Sequence, residues 1–387
     1  MRTSWSGRSV VAVAAAGLTV AATGIGPAAA GIRAASFSVR GELTGVVALS
    51  ASNAWVVGST GQFGGEGTLI AHWNGKSWLR QKTPSPGMGD TLQGVAATSS
   101  HDAWAVGGEQ GGAPGAEQQT LILHWNGKTW QRVHSPSPAP DCELTAVAAV
   151  SARDAWAVGF ADPSGGDARS RAGARSEPAS GRVIIARTLI LHWNGRTWKR
   201  VPSPNPDQGG HLTGVTATSA GNAWAVGEDE FKTIDFGNLF LHWNGHVWKA
   251  VKGPDPGGNS NGLLGVDASS RTNAWAVGNA KRNGSDLDHW NGSKWKQVLL
   301  LRTYVVTAVN AGTSTSTWAV GGASNGALIL RLHGAAWRRV ATPHPKAEFL
   351  TGVAATSSRN AWAVGSKSGS SGDATVILHW NGTRWSS

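Results

Sequence analysis

Short apolar runs separated by polar turns recur along the chain from residue 43 to residue 385, in a fixed order of segments. The first is an apolar stretch of small and β-branched residues: LTGVVALS (43–50), LQGVAATS (92–99), LTAVAAVS (144–151), LTGVTATS (212–219), LLGVDASS (263–270), VTAVNAGT (306–313) and LTGVAATS (350–357). After a short polar turn comes NAWVVG (53–58), DAWAVG (102–107 and 154–159), NAWAVG (222–227, 273–278 and 360–365) or STWAVG (316–321). A variable loop leads to a third segment holding two apolar runs around a turn, typified by LILHWNGKTW (121–130). Runs of this length and composition, bounded by Gly, Asn, Ser and Pro, predict strands. Each unit therefore holds four, called a to d below.

The third segment recurs as LIAHWNGKSW (69–78), LILHWNGRTW (189–198), LFLHWNGHVW (239–248), LDHWNGSKW (287–295), LILRLHGAAW (328–337) and VILHWNGTRW (376–385). Asn-Gly between apolar runs is a strong hairpin signal, because both residues tolerate positive φ. A two-residue turn at Asn126-Gly127 would set Trp125 opposite Lys128 and His124 opposite Thr129. Leu121, Leu123, Trp125 and Trp130 would then share one face. The sixth copy is degenerate, with Arg331, Leu332 and His333 where the others carry His, Trp and Asn.

The second-strand tryptophans, Trp55, Trp104, Trp156, Trp224, Trp275, Trp318 and Trp362, are spaced by 49, 52, 68, 51, 43 and 44 residues. Four-stranded antiparallel repeats of this length predict an all-β, seven-bladed β-propeller, with blades at about 43–91, 92–143, 144–211, 212–262, 263–305, 306–349 and 350–387. An open solenoid would use shorter repeats and parallel strands. Of the 21 Trp, all but Trp5 fall on repeat positions, as expected of flat side chains that fill the wedge between stacked sheets. The last unit ends just after Trp385, so residues 31–42 are expected to complete the outer edge of the seventh blade.

Residues 1–30 have the form of a Sec-type secretory signal: Arg2 and Arg8, an apolar run from Val10 to Val20, and Ala28-Ala29-Ala30 at the cleavage point. No later segment is apolar enough to span a membrane. The expected product is secreted and monomeric. Cys142 is the only cysteine, which excludes an intramolecular disulfide. The net charge of +11, or +9 without Arg2 and Arg8, favours an anionic wall polymer or acidic glycan over nucleic acid as partner of an exported chain.

WNGKTW and its copies resemble the hairpin of Asp-box (BNR-type) repeats. Together with DAWAVG they are similar to exported propellers related to photosystem II assembly factors, to sialidase-like folds and to exported repeat proteins of high-GC actinomycetes. The resemblance implies the propeller fold over residues 43–385 and carries no activity, because propellers host many. The chain departs from the box at its Asp, which is Asn in six copies and His333 in the other.

Enzymatic readings fit poorly. A sialidase needs an arginine cluster, a Tyr nucleophile and paired acids, and a copper-radical oxidase needs two Tyr. Tyr304 is the only Tyr. The recurrent His72, His124, His192, His242, His289 and His379 lie on strand c, third from the axis and on separate blades, too far apart to share an ion. Each is expected to hydrogen-bond a cross-strand Thr or Ser. No cofactor or metal is expected.

Length variation is confined to the b–c loops, which leave the ring on one face together with the d–a linkers, so recognition is expected there. Loop 160–187 is basic, with Arg169, Arg171 and Arg175. The Pro-rich linker pattern breaks at Leu299–Tyr304, which makes Arg302 and Tyr304 candidates, with Lys281 and Arg282 on the neighbouring b–c loop. Glu228 and Asp229 form the densest acidic cluster on that face. The sequence thus points to an exported, non-enzymatic binding module for an anionic envelope polymer, a glycan or an exported protein. The alternative is a glycan-processing hydrolase or lyase on a sialidase-like propeller.

Overall fold

The computed structural model is a seven-bladed β-propeller. It describes residues 37–61, 67–84, 89–111, 117–163, 186–205, 209–231, 235–255, 262–280, 284–312, 316–323, 326–343, 348–369 and 373–387, with the side chains of 230, 231, 235 and 236 left aside. Seven four-stranded sheets follow one another, each ordered a-b-c-d and antiparallel throughout. Blade two is representative: strand a spans Thr91–Ser99, b Asp102–Gln110, c Gln118–Trp125 and d Trp130–Arg132.

Near the axis the repeat is fixed by one local device. Strand a is bulged opposite the end of strand b, between Leu43 and Gly45 in blade one and at the matching place in the others. In five blades the extra residue is Thr, and its hydroxyl donates to a backbone carbonyl of the next blade: Thr44 to Leu92, Thr145 to Leu212, Thr213 to Leu263, Thr307 to Leu350 and Thr351 to Leu43, at 2.6–2.7 Å. Gln93 and Leu264 stand at this place in blades two and five. The bulge also explains the final Gly of every NAWAVG. A Cβ on Gly58 or Gly107 would lie 2.0 Å from the strand a carbonyl oxygen of Glu42 or Thr91. Only a residue without a side chain fits.

The outer hairpin differs from the expected two-residue Asn-Gly turn by one step in register. Trp125 lies directly opposite Trp130, and His124 opposite Gln131, so the turn is centred on Gly127-Lys128. Asn126 is not a central turn residue but an acceptor. Its Oδ1 takes the N–H groups of Lys128 and Thr129 at 3.0 Å, and the left-handed conformation falls to Gly127 (φ +90°). The same arrangement recurs at Asn74, Asn194, Asn244, Asn291 and Asn381. The histidines are also partnered differently from expectation. With the cross-strand Ser or Thr out of register, His Nε2 reaches back to the first residue of strand b: Asn53, Asp102, Asp154, Asn222, Asn273 or Asn360, at 2.7–3.0 Å. Burial holds His72, His242, His289 and His379 below the ordinary histidine range.

The tryptophans pack as wedges between blades. At six of the seven interfaces the strand b ring touches the strand c and strand d rings of the next blade: Trp55 with Trp125 and Trp130, Trp104 with Trp193 and Trp198, Trp156 with Trp243 and Trp248, Trp224 with Trp290 and Trp295, Trp318 with Trp380 and Trp385. Trp362 of blade seven closes the circuit on Trp73 and Trp78 of blade one, with centroids 5.0 and 5.1 Å away. The histidine of the same blade covers the other side of the ring, as His72 does on Trp55 at 4.1 Å.

At the closure, Trp385–Ser386 supplies a two-residue strand d to blade seven. Residues 39–41 lie beside the start of strand c on its outer side, where Arg40 bridges Ala374 antiparallel. Gly41 N–H donates to Asp373 O, and Thr375 N–H to Val39 O. Gly210 makes the same bond to Ala186 between blades three and four. The N-terminal segment thus stands where every other blade has its d–a linker.

Candidate functional site

The two ends of the ring differ in charge. At one end the a–b and c–d turns meet: a Cβ on Gly127 would touch His101, one on Gly195 would touch Arg153, and one on Gly382 would touch Arg359. Because Asn Oδ1 and Gly build the c–d turn in six blades, the two residues after Gly are free to point into solvent. They include Lys76, Lys128, Arg196, Lys294 and Arg384, all exposed. The a–b turns add exposed Arg153, Arg271 and Arg359. Among the described residues of this end there is no exposed carboxylate. Asp102 and Asp154 sit just inside it and are bonded to His124 and His192. Burial raises the Asp102 carboxyl, but the bonds from His124 and Thr98 outweigh it and leave the group below its usual range.

The loop end has the opposite composition among the described residues. Glu42 accepts the Ser59 hydroxyl, Glu143 accepts Gln93 Nε2 at 2.9 Å, and Glu228 pairs with His211 Nδ1 at 3.0 Å. Asp90, Asp141, Asp162 and Glu348 are buried at the same end. Exposed cations there are Arg40, Lys82, Arg187, Lys252, Arg302 and Lys367.

The sequence candidates are not gathered into one site. Arg169, Arg171, Arg175, Lys281 and Arg282 lie outside the described residues. Glu228 and Asp229 are not in a loop, because strand b of blade four continues to Phe231 and strand c resumes at Asp235. Glu228 faces His211, whose ring packs on Phe160 of blade three at 4.8 Å. Arg302 is exposed beside Thr303, which has φ +72°. Tyr304 turns away from Arg302 to blade six, where Arg339 donates to its hydroxyl at 3.0 Å and lies 5.3 Å over its ring.

Blade five holds what sequence reasoning missed. Asp286 and Asp288 occupy the strand c positions that are Leu121 and Leu123 in blade two, and both are fully buried against blade four. Asp286 accepts Gln297 Nε2 at 2.7 Å and Asn238 Nδ2 at 3.4 Å. Burial, followed by the Asp286 charge, pushes the Asp288 carboxyl up to about 9. Burial also raises the Asp286 carboxyl, against the bonds that Gln297 and Asn238 donate to it. The available signal was the replacement of two repeat leucines by Asp. Asp267 on strand a is another keystone: it accepts from Thr216 of blade four and from Asn310 and the Ala311 N–H of blade six. Among the described residues, no three potential metal ligands converge.

With this geometry in place, comparison with known proteins adds the fold and no more. No family model matches the chain, and no curated protein does. Solved structures do. A structure titled "YCF48 bound to D1 peptide" superposes with a TM-score of 0.54 at 13% identity, covering 90% of this chain and 99% of that one. YCF48 from Cyanidioschyzon merolae gives 0.51 at 15%, covering 87% and 96%. "Structure of U3-55K" gives 0.54 at 11%, covering 84% and 88%. The chain is a propeller of this shape. At such identities the shared fold carries no residue-level function.

Proposed function

We propose that this chain is an exported, non-enzymatic propeller that binds an anionic cell-envelope polymer, and that it does so through its turn end. The observation that carries this reading is the ring of eight exposed Lys and Arg side chains on the a–b and c–d turns, without an exposed carboxylate among the described residues there. A rigid circle of like charges suits a repeating polyanion, because many weak contacts act together while each remains screened by salt. The expected variable-loop site fits such a ligand less well, since its described residues are mainly acidic; it better suits a glycan or protein partner. Export rests on the N-terminal Arg2/Arg8, Val10–Val20 and Ala28–Ala30 pattern. The neighbour YCF48, whose structure is of a complex bound to D1 peptide, illustrates that this shape serves binding. A glycan-processing hydrolase would need two carboxyls facing one cleft, whereas Glu42, Glu143 and Glu228 stand on different blades, each bonded to its own neighbour.

The test is sedimentation of residues 31–387 with isolated cell envelopes across a salt series. Binding that falls steeply with salt supports the reading; salt-insensitive binding, or none, overturns it.

A further inference from the structure

In six blades the strand c indole, Trp73, Trp125, Trp193, Trp243, Trp290 or Trp380, fills one slot. It packs on the strand b Trp of the preceding blade, with centroids 4.8–5.2 Å apart. Its Nε1–H donates to an a–b turn carbonyl of its own blade, at 2.9–3.1 Å. In blade six the residue is Leu332. Trp275 of blade five keeps its strand d partner, Trp337, edge-on at 5.1 Å, but has no strand c indole. In its place is a recess of about 400 Å³ lined by Trp275, His289, Asn273, Thr317, Leu332 and Val298.

The rim beside this slot is also unusual. Strand d of blade five runs from Trp295 to Leu301, seven residues against three in blades one to four. It is the outermost strand of its sheet and exposes Val298 (42%) and Leu300 (48%) on alternate positions. An extended partner strand can add to such an edge, with backbone bonds supplying affinity and a pocket supplying selectivity.

We propose that the blade five–six slot receives a tryptophan side chain of a partner polypeptide lying along the Trp295–Leu301 edge. The six filled slots show what the geometry accepts: an indole borne on a peptide chain and stacked on the strand b Trp. This site lies at the same end as the cationic ring, beside Gly334 and Ala335 of a c–d turn without a cation, and does not depend on the ring's Lys and Arg.

The probe is N-acetyl-5-fluorotryptophanamide, followed by fluorine NMR as full-length protein is added, beside a fluorotryptophan-containing extended heptapeptide. The wild-type protein is expected to broaden the amide signal and to bind the heptapeptide at least tenfold more tightly. Leu332→Trp, which restores the repeat residue and fills the slot, is expected to abolish both effects and raise the melting temperature; Leu332→Phe is the second variant should the indole not be accommodated. No broadening by the wild type, or broadening unchanged in a folded slot-filling variant, overturns the proposal. Equal affinity for amide and heptapeptide overturns the polypeptide assignment and leaves a site for small aromatic molecules.

Discussion

The two ends of the ring are built from the same strands and carry opposite chemistry. The turn end is nearly invariant in six blades, because their c–d turns are dictated by an Asn side chain, a left-handed Gly and a fixed Trp pair. Its variable positions are the two that nothing in the fold uses, and in five of the seven blades one of the two is Lys or Arg. The loop end varies in length, yet its described carboxylates are held within the blades by Ser59, Gln93 and His211. Regular geometry thus need not mean absence of function. Where the scaffold repeats, charges on the turns of five blades come to share one end of the ring.

That contrast requires a closed, rigid ring, so the severest way to break it is to remove a wedge. Trp362→Ala takes a fully buried ring from the blade seven–one closure and should cost about 3–5 kcal/mol. Trp337→Ala, at the interface that already lacks one indole, should cost clearly less. Denaturant melts of the two compare them directly, and equal losses would mean that the wedge does not set interface strength.

Next in size is the buried carboxyl pair. Asp288→Leu restores the repeat residue and should stabilise the fold by about 1–3 kcal/mol at neutral pH. Because the folded-state Asp288 holds its proton up to about 9 while an unfolded Asp releases it near pH 4, the folded form binds more protons across that window. Stability is therefore highest on the acid side of this transition and is lost as pH rises toward 9. Melting temperatures from pH 7 to 9 should decline in the wild type and flatten in the variant.

Smaller still is Thr351→Val, which removes the hydroxyl donated to Leu43 O across the closure and should cost about 1 kcal/mol. The smallest expected effect is acidic. His72, His242, His289 and His379 are held below the usual range by burial, so the unfolded chain takes up protons first as pH falls below about 6.5. Stability should decline on acidification, in the opposite sense to the Asp288 effect, and more visibly in Asp288→Leu.

Much of the fold was legible because the chain repeats it seven times: four strands per unit, Trp at fixed places and a Gly closing each second strand. The hairpin register was not, because Asn-Gly suits the centre of a turn as well as its flank. Only the bonds from the N–H groups of Lys128 and Thr129 to Asn126 Oδ1 decide between them. The histidine partners followed that error. The turn ring was also missed, since charges scattered through the sequence at Lys76, Lys128, Arg196 and Arg384 come to one end of the molecule only when the blades form a ring. Asp286 and Asp288 were visible as departures from the repeat, but their burial depends on a neighbouring blade.

The most direct test is binding to inorganic polyphosphate across a salt series. It compares the wild type with a turn-end variant, Lys76→Glu, Lys128→Glu, Arg196→Glu and Arg384→Glu, and a loop-end variant, Arg187→Glu, Arg302→Glu and Lys367→Glu. The turn-end variant should lose at least about a hundredfold in affinity at low salt and show a shallower salt dependence. The loop-end variant should bind nearly as the wild type does. Loss in the loop-end variant alone, with the turn-end variant unaffected, would contradict the account.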